Sequence, residues 1–380
     1  MRKTKRFAAL ALTASLFVVA ACGDDEEEGT STTAAASETT AAAATDTTAA
    51  ATETTAAAAT DTTAAAEEPA EAASVGLLFD VTGRGDKSFN DAAAAGLDQA
   101  VAEFGIAASE STPTGDGDRA ERLNLLVDDG NELVIGVGFL WGDAITAGAA
   151  ENAETSFAII DSVIDAPNVA SLIFAENEGS FLVGVAAGLK SQTGKVGFIG
   201  GVENDLIRNF EVGFTAGVLA ANPDAEVLVQ YISQPPDFSG FNDPAKGKEI
   251  AAAMYADGAD IVYSAAGGSG LGAFEAAKEA GAPGEVWAIG VDSDQYNLVS
   301  ADLQPYILTS MLKKVDVAVY ETIKAFNEGN FQAGVQLFNL ESGGVGYSTS
   351  GGFVDDIAAQ IDEFAAQIIA GEIEVPSASS

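Results

Sequence analysis

From residue 75 onward, short apolar runs alternate with segments of helical period. Val75–Phe79, Leu133–Val137, Ser156–Ile160 and Val169–Phe174 read as strands. Between the first two, residues 90–104 place Ala94, Leu97, Val101 and Phe104 on one side of a helix. A helix over Gly179–Leu189 is stopped by Thr193-Gly194. A second series opens at Lys195–Ile199. It continues through a helix at 206–221, a strand at Glu226–Tyr231, a helix at 245–256, a strand at Ile261–Ser264, a helix at 271–280 and a strand at Val286–Gly290. Strands that are apolar on both sides and alternate with helices predict parallel sheets covered on both faces. The series occurs twice, which predicts an α/β protein of two doubly wound lobes.

The first 73 residues follow another pattern. Arg2, Lys3, Lys5 and Arg6 precede an apolar run from Phe7 to Ala21. At about 15 residues the run is too short to span a membrane and has the form of a secretory leader. It ends Val19-Ala20-Ala21-Cys22-Gly23, and Cys22 is the only Cys in the chain. This resembles the lipobox of bacterial lipoproteins, in which the Cys is acylated and becomes the new N-terminus. The expected divisions are therefore a leader at 1–22 and a tether at 23–73. The tether is built almost wholly of Ala, Thr, Ser, Asp and Glu, with Thr45-Asp-Thr-Thr-Ala49 recurring as Thr60-Asp-Thr-Thr-Ala64. Such a segment has nothing with which to build a core and is expected to stay disordered. As a coil its length corresponds to a reach of roughly 40 Å. An O-glycosylated stalk is the other reading of the same composition.

Composition then removes functions. The chain has 380 residues, 57 acidic and 17 basic, no His and a formal charge of −40. Without His there is no Ser-His-Asp or Cys-His set and no imidazole metal ligand. One Cys makes neither an internal disulfide nor a Cys-based zinc site. The charge repels phosphate backbones, so nucleic acid is not an expected partner. Residues 74–380 keep 45 of the acids and 13 of the bases, so the acidity belongs to the lobes as well as to the tether.

In doubly wound sheets ligands bind beyond the carboxyl ends of the strands. Asp80, Asp161 and Asp292 each fall at or just past a strand tip, and Gly267 lies in the Gly-rich turn after 261–264. Carboxylates there can accept hydrogen bonds from hydroxyl or ring N–H donors, although each Asp also suits a helix cap or turn. Gly268-Ser-Gly-Leu-Gly272 lacks dinucleotide spacing, and Asp116-Gly-Asp118 and Asp292-Ser-Asp294 lack the rest of a calcium loop. No cofactor, metal or catalytic set is expected.

An ordered series of motifs spans residues 75–350: Asp80-x-x-Gly-x-x-Asp86-x-Ser88-Phe89-Asn90, Gly194-Lys-Val-Gly-Phe-Ile-Gly-Gly201, Phe210-x-x-Gly-Phe-x-Ala-Gly217, Asn242-Asp-Pro-Ala-Lys-Gly-Lys248, Gly290-Val-Asp-x-Asp-Gln295, Leu308-Thr-Ser-Met-Leu-Lys-Lys-Val-Asp316 and Gly343-Gly-Val-Gly346. The series resembles the basic membrane protein family, which includes the purine nucleoside receptor lipoproteins. The resemblance implies a type I periplasmic-binding fold in which the chain crosses three times between lobes that close on a ligand. The crossings are expected near Glu176, Tyr306 and Phe331. That gives a first lobe of 74–176 and 307–330 and a second of 177–306 and 331–380. The resemblance also implies a nucleoside, purine first, stacked between Phe89 and Phe241, with Phe238 a rival for the second ring. Asn90 and Asp161 match groups that read the base. Asp80, Asp292 and Lys313 match groups that hold the ribose, with backbone near Gly267 helping and Lys314 an alternative to Lys313. The implied partners are an ABC permease and its ATPase, and the expected protein is a lipid-anchored, extracytoplasmic monomer without enzymatic activity. A sugar ligand in the same fold, or a surface sensor, are the competing expectations. Thr82, where the family usually has Gly, and the Pro-rich loop before Phe241 depart from the family pattern.

Overall fold

The computed structural model describes residues 73–115 and 117–378. The leader, Cys22, nearly all of the tether, and Asp116 lie outside the described residues. The first series runs β1 (Ser74–Leu78), α1 (Phe89–Phe104), β2 (Ala107–Ser111), α2 (Arg119–Asp128), β3 (Leu133–Gly136), α3 (Gly142–Glu151), β4 (Ser156–Ile160) and β5 (Val169–Phe174). The second runs α4 (Glu176–Lys190), β6 (Lys195–Val202), α5 (Asp205–Ala221), β7 (Glu226–Ser233), α6 (Pro244–Ala256), β8 (Ile261–Ala265), α7 (Leu271–Ala280), β9 (Trp287–Asp292) and β10 (Ile307–Lys313). The chain closes with α8 (Val315–Asn327), β11 (Gly334–Phe338), β12 (Val345–Tyr347) and α9 (Ala358–Ile369).

Two six-stranded sheets result, ordered β11-β5-β4-β3-β1-β2 and β12-β10-β9-β8-β6-β7. All pairings are parallel except that of β10 with β12. In each sheet the first strand in sequence is flanked by the second and third, so the loops that follow diverge to opposite faces and leave a crevice at the strand tips. In the middle of the sheets β3, β8 and β9 are buried along their whole length and β4 in all but its first residue, as their apolar runs predict. β2 has the sequence AASES and no apolar run because it is a partly exposed edge. It is therefore invisible to the same reasoning.

Two of the expected crossings move. Ile307–Lys313 pairs with β9 and belongs to the second sheet, so the chain leaves that lobe after Lys313 and not near Tyr306. Gly334–Phe338 pairs with β5 in the first sheet, so the last crossing lies between Phe338 and Val345 and not near Phe331. The physical reason is common to both. The cleft lies at the strand ends, so a crossing has to follow a finished strand, and the run 307–313 is itself the last parallel strand of its lobe. The chain passes from β5 to α4 at Ala175–Glu176.

The second lobe is held by α4 and α5 at close range. A Cβ on Gly184 would sit 2.2 Å from Phe214 O and one on Gly217 2.0 Å from Phe181 O, so only Gly permits this approach. On the other side of α4, the rings of Phe181 and Phe364 bring α9 against it, with centroids 5.8 Å apart.

Candidate ligand-binding cleft

The loop from Asp80 to Asn90 forms one wall. Asp86 organises it. Its Oδ1 accepts from the backbone N–H of Ser88 (3.0 Å) and of Asp91 (3.1 Å), and its Oδ2 from the N–H of Asn90 (2.8 Å) and from Asn90 Nδ2 (2.9 Å). A carboxylate thus satisfies the N–H groups that open α1, where the helix dipole also favours negative charge. Ser88, at the N-cap position, is released from capping, and its hydroxyl donates across the cleft to Asp292 Oδ2 at 2.6 Å. Asn90 is buried, its Oδ1 accepting from Asp80 N–H (2.8 Å) and its Nδ2 donating to Thr82 as well as Asp86. Both of its donors serve the loop, its oxygen accepts a single bond, and the residue lines the cleft beside Phe89. The hydroxyl of Thr82, which departs from the family's Gly, is one of its anchors.

Asp161 and Asp292 stand at equivalent places, at the tips of β4 and β9, the fourth strand of each lobe in chain order. Both take left-handed backbone, with φ of 65° and 63°, a conformation that costs a non-Gly residue about 1 kcal/mol or more. Strain at matched positions in both lobes is what a shared functional constraint produces.

Lys313, the last residue of β10, fills the floor between them. Its Nζ donates to both oxygens of Asp161 at 2.6 and 2.7 Å and lies 3.1 Å from Glu176 Oε1. All three side chains are at most 4 % exposed. The rings of Phe89, Phe174 and Phe210 surround the ammonium, with centroids 5.1, 5.0 and 5.6 Å away. Asp292 takes its hydrogen bond from Ser88, and the charge of Lys313 acts on it through space.

Burial dominates the proton affinities. It pushes Asp80 up to about 7 against the pull of Arg119, Glu176 up to about 7 against Lys313, and Asp292 up to about 6 against Lys313 and Ser88. It also raises Asp161 and Asp86. Burial works against the Lys313 ammonium, but Asp161, Glu176 and Asp292 together hold it above the ordinary lysine value. The cleft therefore carries one firmly protonated cation and several carboxylates poised near neutrality.

These groups line one cleft of about 570 Å³, mouth included. Asp80, Phe89, Asn90 and Asp161 come from the first lobe, and Phe241, Gly267, Asp292 and Lys313 from the second. All eight expected site residues are brought together. Phe241 rather than Phe238 lines the cleft, and a Cβ on Gly201 would lie 2.5 Å from its ring, so Gly201 makes the room. Phe238 instead meets Phe139 edge-on at 6.0 Å, a contact that joins the lobes. Lys314 lines a separate pocket beside α1 and α8. Further bonds close the lobes: Ser293 Oγ to Ser88 O at 3.0 Å and Gln295 Nε2 to Lys87 O at 2.9 Å.

Several lining residues were not anticipated. Phe210 sits inside a quoted motif but at helical spacing, where a core position is the ordinary reading. Phe139 follows the tip of β3, whose flanking Gly138 was the available signal: a Cβ there would lie 3.0 Å from Asp80 Oδ2. Glu176, which pairs with Lys313 but does not line the cleft, is expected from the sequence only as a crossing.

A cleft between two parallel α/β lobes, lined by aromatic rings and hydrogen-bond acceptors drawn from both, defines a solute-binding protein. Residues 73–379 match the family described as ABC transporter substrate-binding protein, PnrA-like. The CD4+ T-cell-stimulating antigen of Listeria monocytogenes is 37% identical over 323 residues, covering 80% of this chain and 88% of that one. The ABC transporter nucleoside-binding protein BmpA of Lactococcus lactis is 36% identical over 320 residues, covering 79% and 88%. Among solved structures, an ABC transporter system solute-binding protein from Aeropyrum pernix K1 superposes with a TM-score of 0.71 at 32% identity, covering 80% of this chain and 94% of that one. The chain belongs to the PnrA-like family of ABC transporter substrate-binding proteins, which is not a class of enzymes. Among the described residues, no helix is long and apolar enough to cross a membrane.

Proposed function

We propose that the protein captures a nucleoside, purine by preference, between its lobes and presents it as a monomer to an ABC permease and its ATPase for import. The observation that carries this reading is the pair Phe89 and Phe241, one ring from each lobe on a single cleft, with Asp80 and Asp292 beside them. A planar base gains about 0.5–1.5 kcal/mol per stacked ring beyond its burial, and carboxylates accept from sugar hydroxyls. The nucleoside-binding name of the Lactococcus lactis relative agrees with it. Isothermal titration of the protein with guanosine, adenosine, inosine, cytidine and ribose tests the reading. Binding of purine nucleosides, with free ribose weaker by orders of magnitude, is expected. Heat with ribose and none with any nucleoside would overturn it.

We place the protein on the extracytoplasmic face of the cell membrane, held by acyl chains on Cys22, because one Cys follows a leader-like run directly. More than one chain is needed for stable anchoring. Cys22→Ser is expected to move the protein from the membrane pellet to the soluble fraction. Retention in the pellet would refute the anchor.

A further inference from the structure

Beneath the first-lobe wall lies a charged layer that none of the motifs above includes. Arg119 opens α2 and is 6% exposed. Its guanidinium lies 5.7 Å from the centroid of the Trp141 ring, and Trp141, wholly buried, donates from Nε1 to Phe79 O at 3.0 Å. The arginine is thereby seated against the end of β1, directly under Asp80. Its Nη2 lies 3.7 Å from Asp80 Oδ1. That separation is within reach of an ion pair and beyond that of a hydrogen bond. Asp80 Oδ1 is buried and, among the described residues, accepts no hydrogen bond. The pairing therefore balances the charge of Asp80 without occupying its lone pairs.

We propose that Arg119 is a positioning residue: seated on Trp141 behind Asp80, it favours the ionised Asp80 carboxylate, the form that accepts a hydrogen bond from a ligand hydroxyl in the cleft. This rests on the reading of the cleft as a nucleoside site. The charged groups facing Asp80 are Arg119 from α2, Asp86 from the loop before α1 and Asp161 from the tip of β4, the last already paired with Lys313. Both carboxylates oppose ionisation of Asp80, and Arg119 is the cation that favours it. Burial and these carboxylates already bring Asp80 to about 7, so loss of Arg119 leaves it protonated at neutral pH. A carboxylic acid is a weaker acceptor than a carboxylate.

The test uses the full chain with 13C-labelled Asp carboxyl carbons, the Asp80 resonance being assigned by its absence in Asp80→Asn. Removing an opposite charge this close moves a carboxyl by about one to three units, so Arg119→Gln is expected to raise the Asp80 midpoint tenfold or more in proton affinity. Arg119→Lys, which keeps a charge but loses the planar seat on Trp141, is expected to raise it about threefold. The Lys variant carries the test if Gln does not fold. Titration with inosine should show Arg119→Gln about tenfold weaker at pH 7 and recovering toward pH 9. An Asp80 midpoint at the wild-type value in a folded variant, or a loss of affinity equal at all pH, overturns the role of Arg119. The carboxyl titration needs no ligand, so a wild-type protein that ignores every nucleoside sinks the nucleoside reading separately.

Discussion

Replacing Lys313 by Met is expected to lower folding stability by about 3–5 kcal/mol at pH 8 and to abolish ligand capture. Met occupies nearly the volume of the lysine stem, so the cavity contribution is small and the loss is chiefly electrostatic. What remains is Asp161 and Glu176, at most 4 % exposed and deprived of the cation between them. Their geometry is also lost: Lys313 ends β10, Glu176 opens α4 and Asp161 tips β4, so the cluster ties together two of the crossing strands and the first lobe. The pH dependence has a definite sign. Folded-state carboxyls raised above their unfolded values contribute stability that is complete below the unfolded value and lost as pH rises through the folded one. Glu176 stands near 7 even with Lys313 present, and the Met variant raises it and Asp161 further. The deficit should therefore be smaller at pH 5 than at pH 8. Urea unfolding at both pH values reads it, and a variant that matches wild type at pH 8 would refute the account. Adding Asp161→Asn and Glu176→Gln to the Met variant should recover most of the deficit, since replacing a whole buried ion cluster is far less costly than breaking it.

How much of this was legible in the sequence follows from what leaves a local trace. The middle strands are covered on both faces, so their apolar runs announced them within a residue or two. β2 is a polar edge and announced nothing. The order of strands in each lobe decides that Asp80, Asp161 and Asp292 converge, and their positions just past apolar runs were enough to select them. Partnerships were not legible, because they depend on registers across the cleft. Lys313 reaches Asp161, and Ser88 turns from its own helix to Asp292, only because the two lobes put those atoms within 2.7 Å. Asn90 shows the same limit: that its amide ties together Asp80, Thr82 and Asp86 of its own loop left no trace in the sequence. The crossings at 313–315 and 338–345 were misplaced because the pattern of a strand does not say which sheet it joins.

Phe89→Ala is the change expected to weaken nucleoside binding most among the aromatic residues, by about 2–3 kcal/mol, or roughly 30- to 150-fold. Phe89 is partly exposed and lines the cleft, so its truncation removes a stacking face while costing the fold less than a core Phe would. It also uncovers one side of Lys313, whose Nζ lies 5.1 Å from the ring, so part of the loss comes through the cation beneath. Two comparisons separate stacking from general disruption. Ribose has no planar face, and its weak binding should change by no more than a few fold. Phe241→Ala, from the opposite lobe, should show the same selectivity for base-bearing ligands. Because both rings act on one base, the double variant should lose less than the sum of the two single losses. Phe238→Ala serves as the control: its ring meets Phe139 across the lobes and does not line the cleft, so it should alter the dissociation rate of all ligands alike without selecting among them. Equal losses for inosine and ribose in Phe89→Ala would show that the ring supports the fold and does not stack on a base.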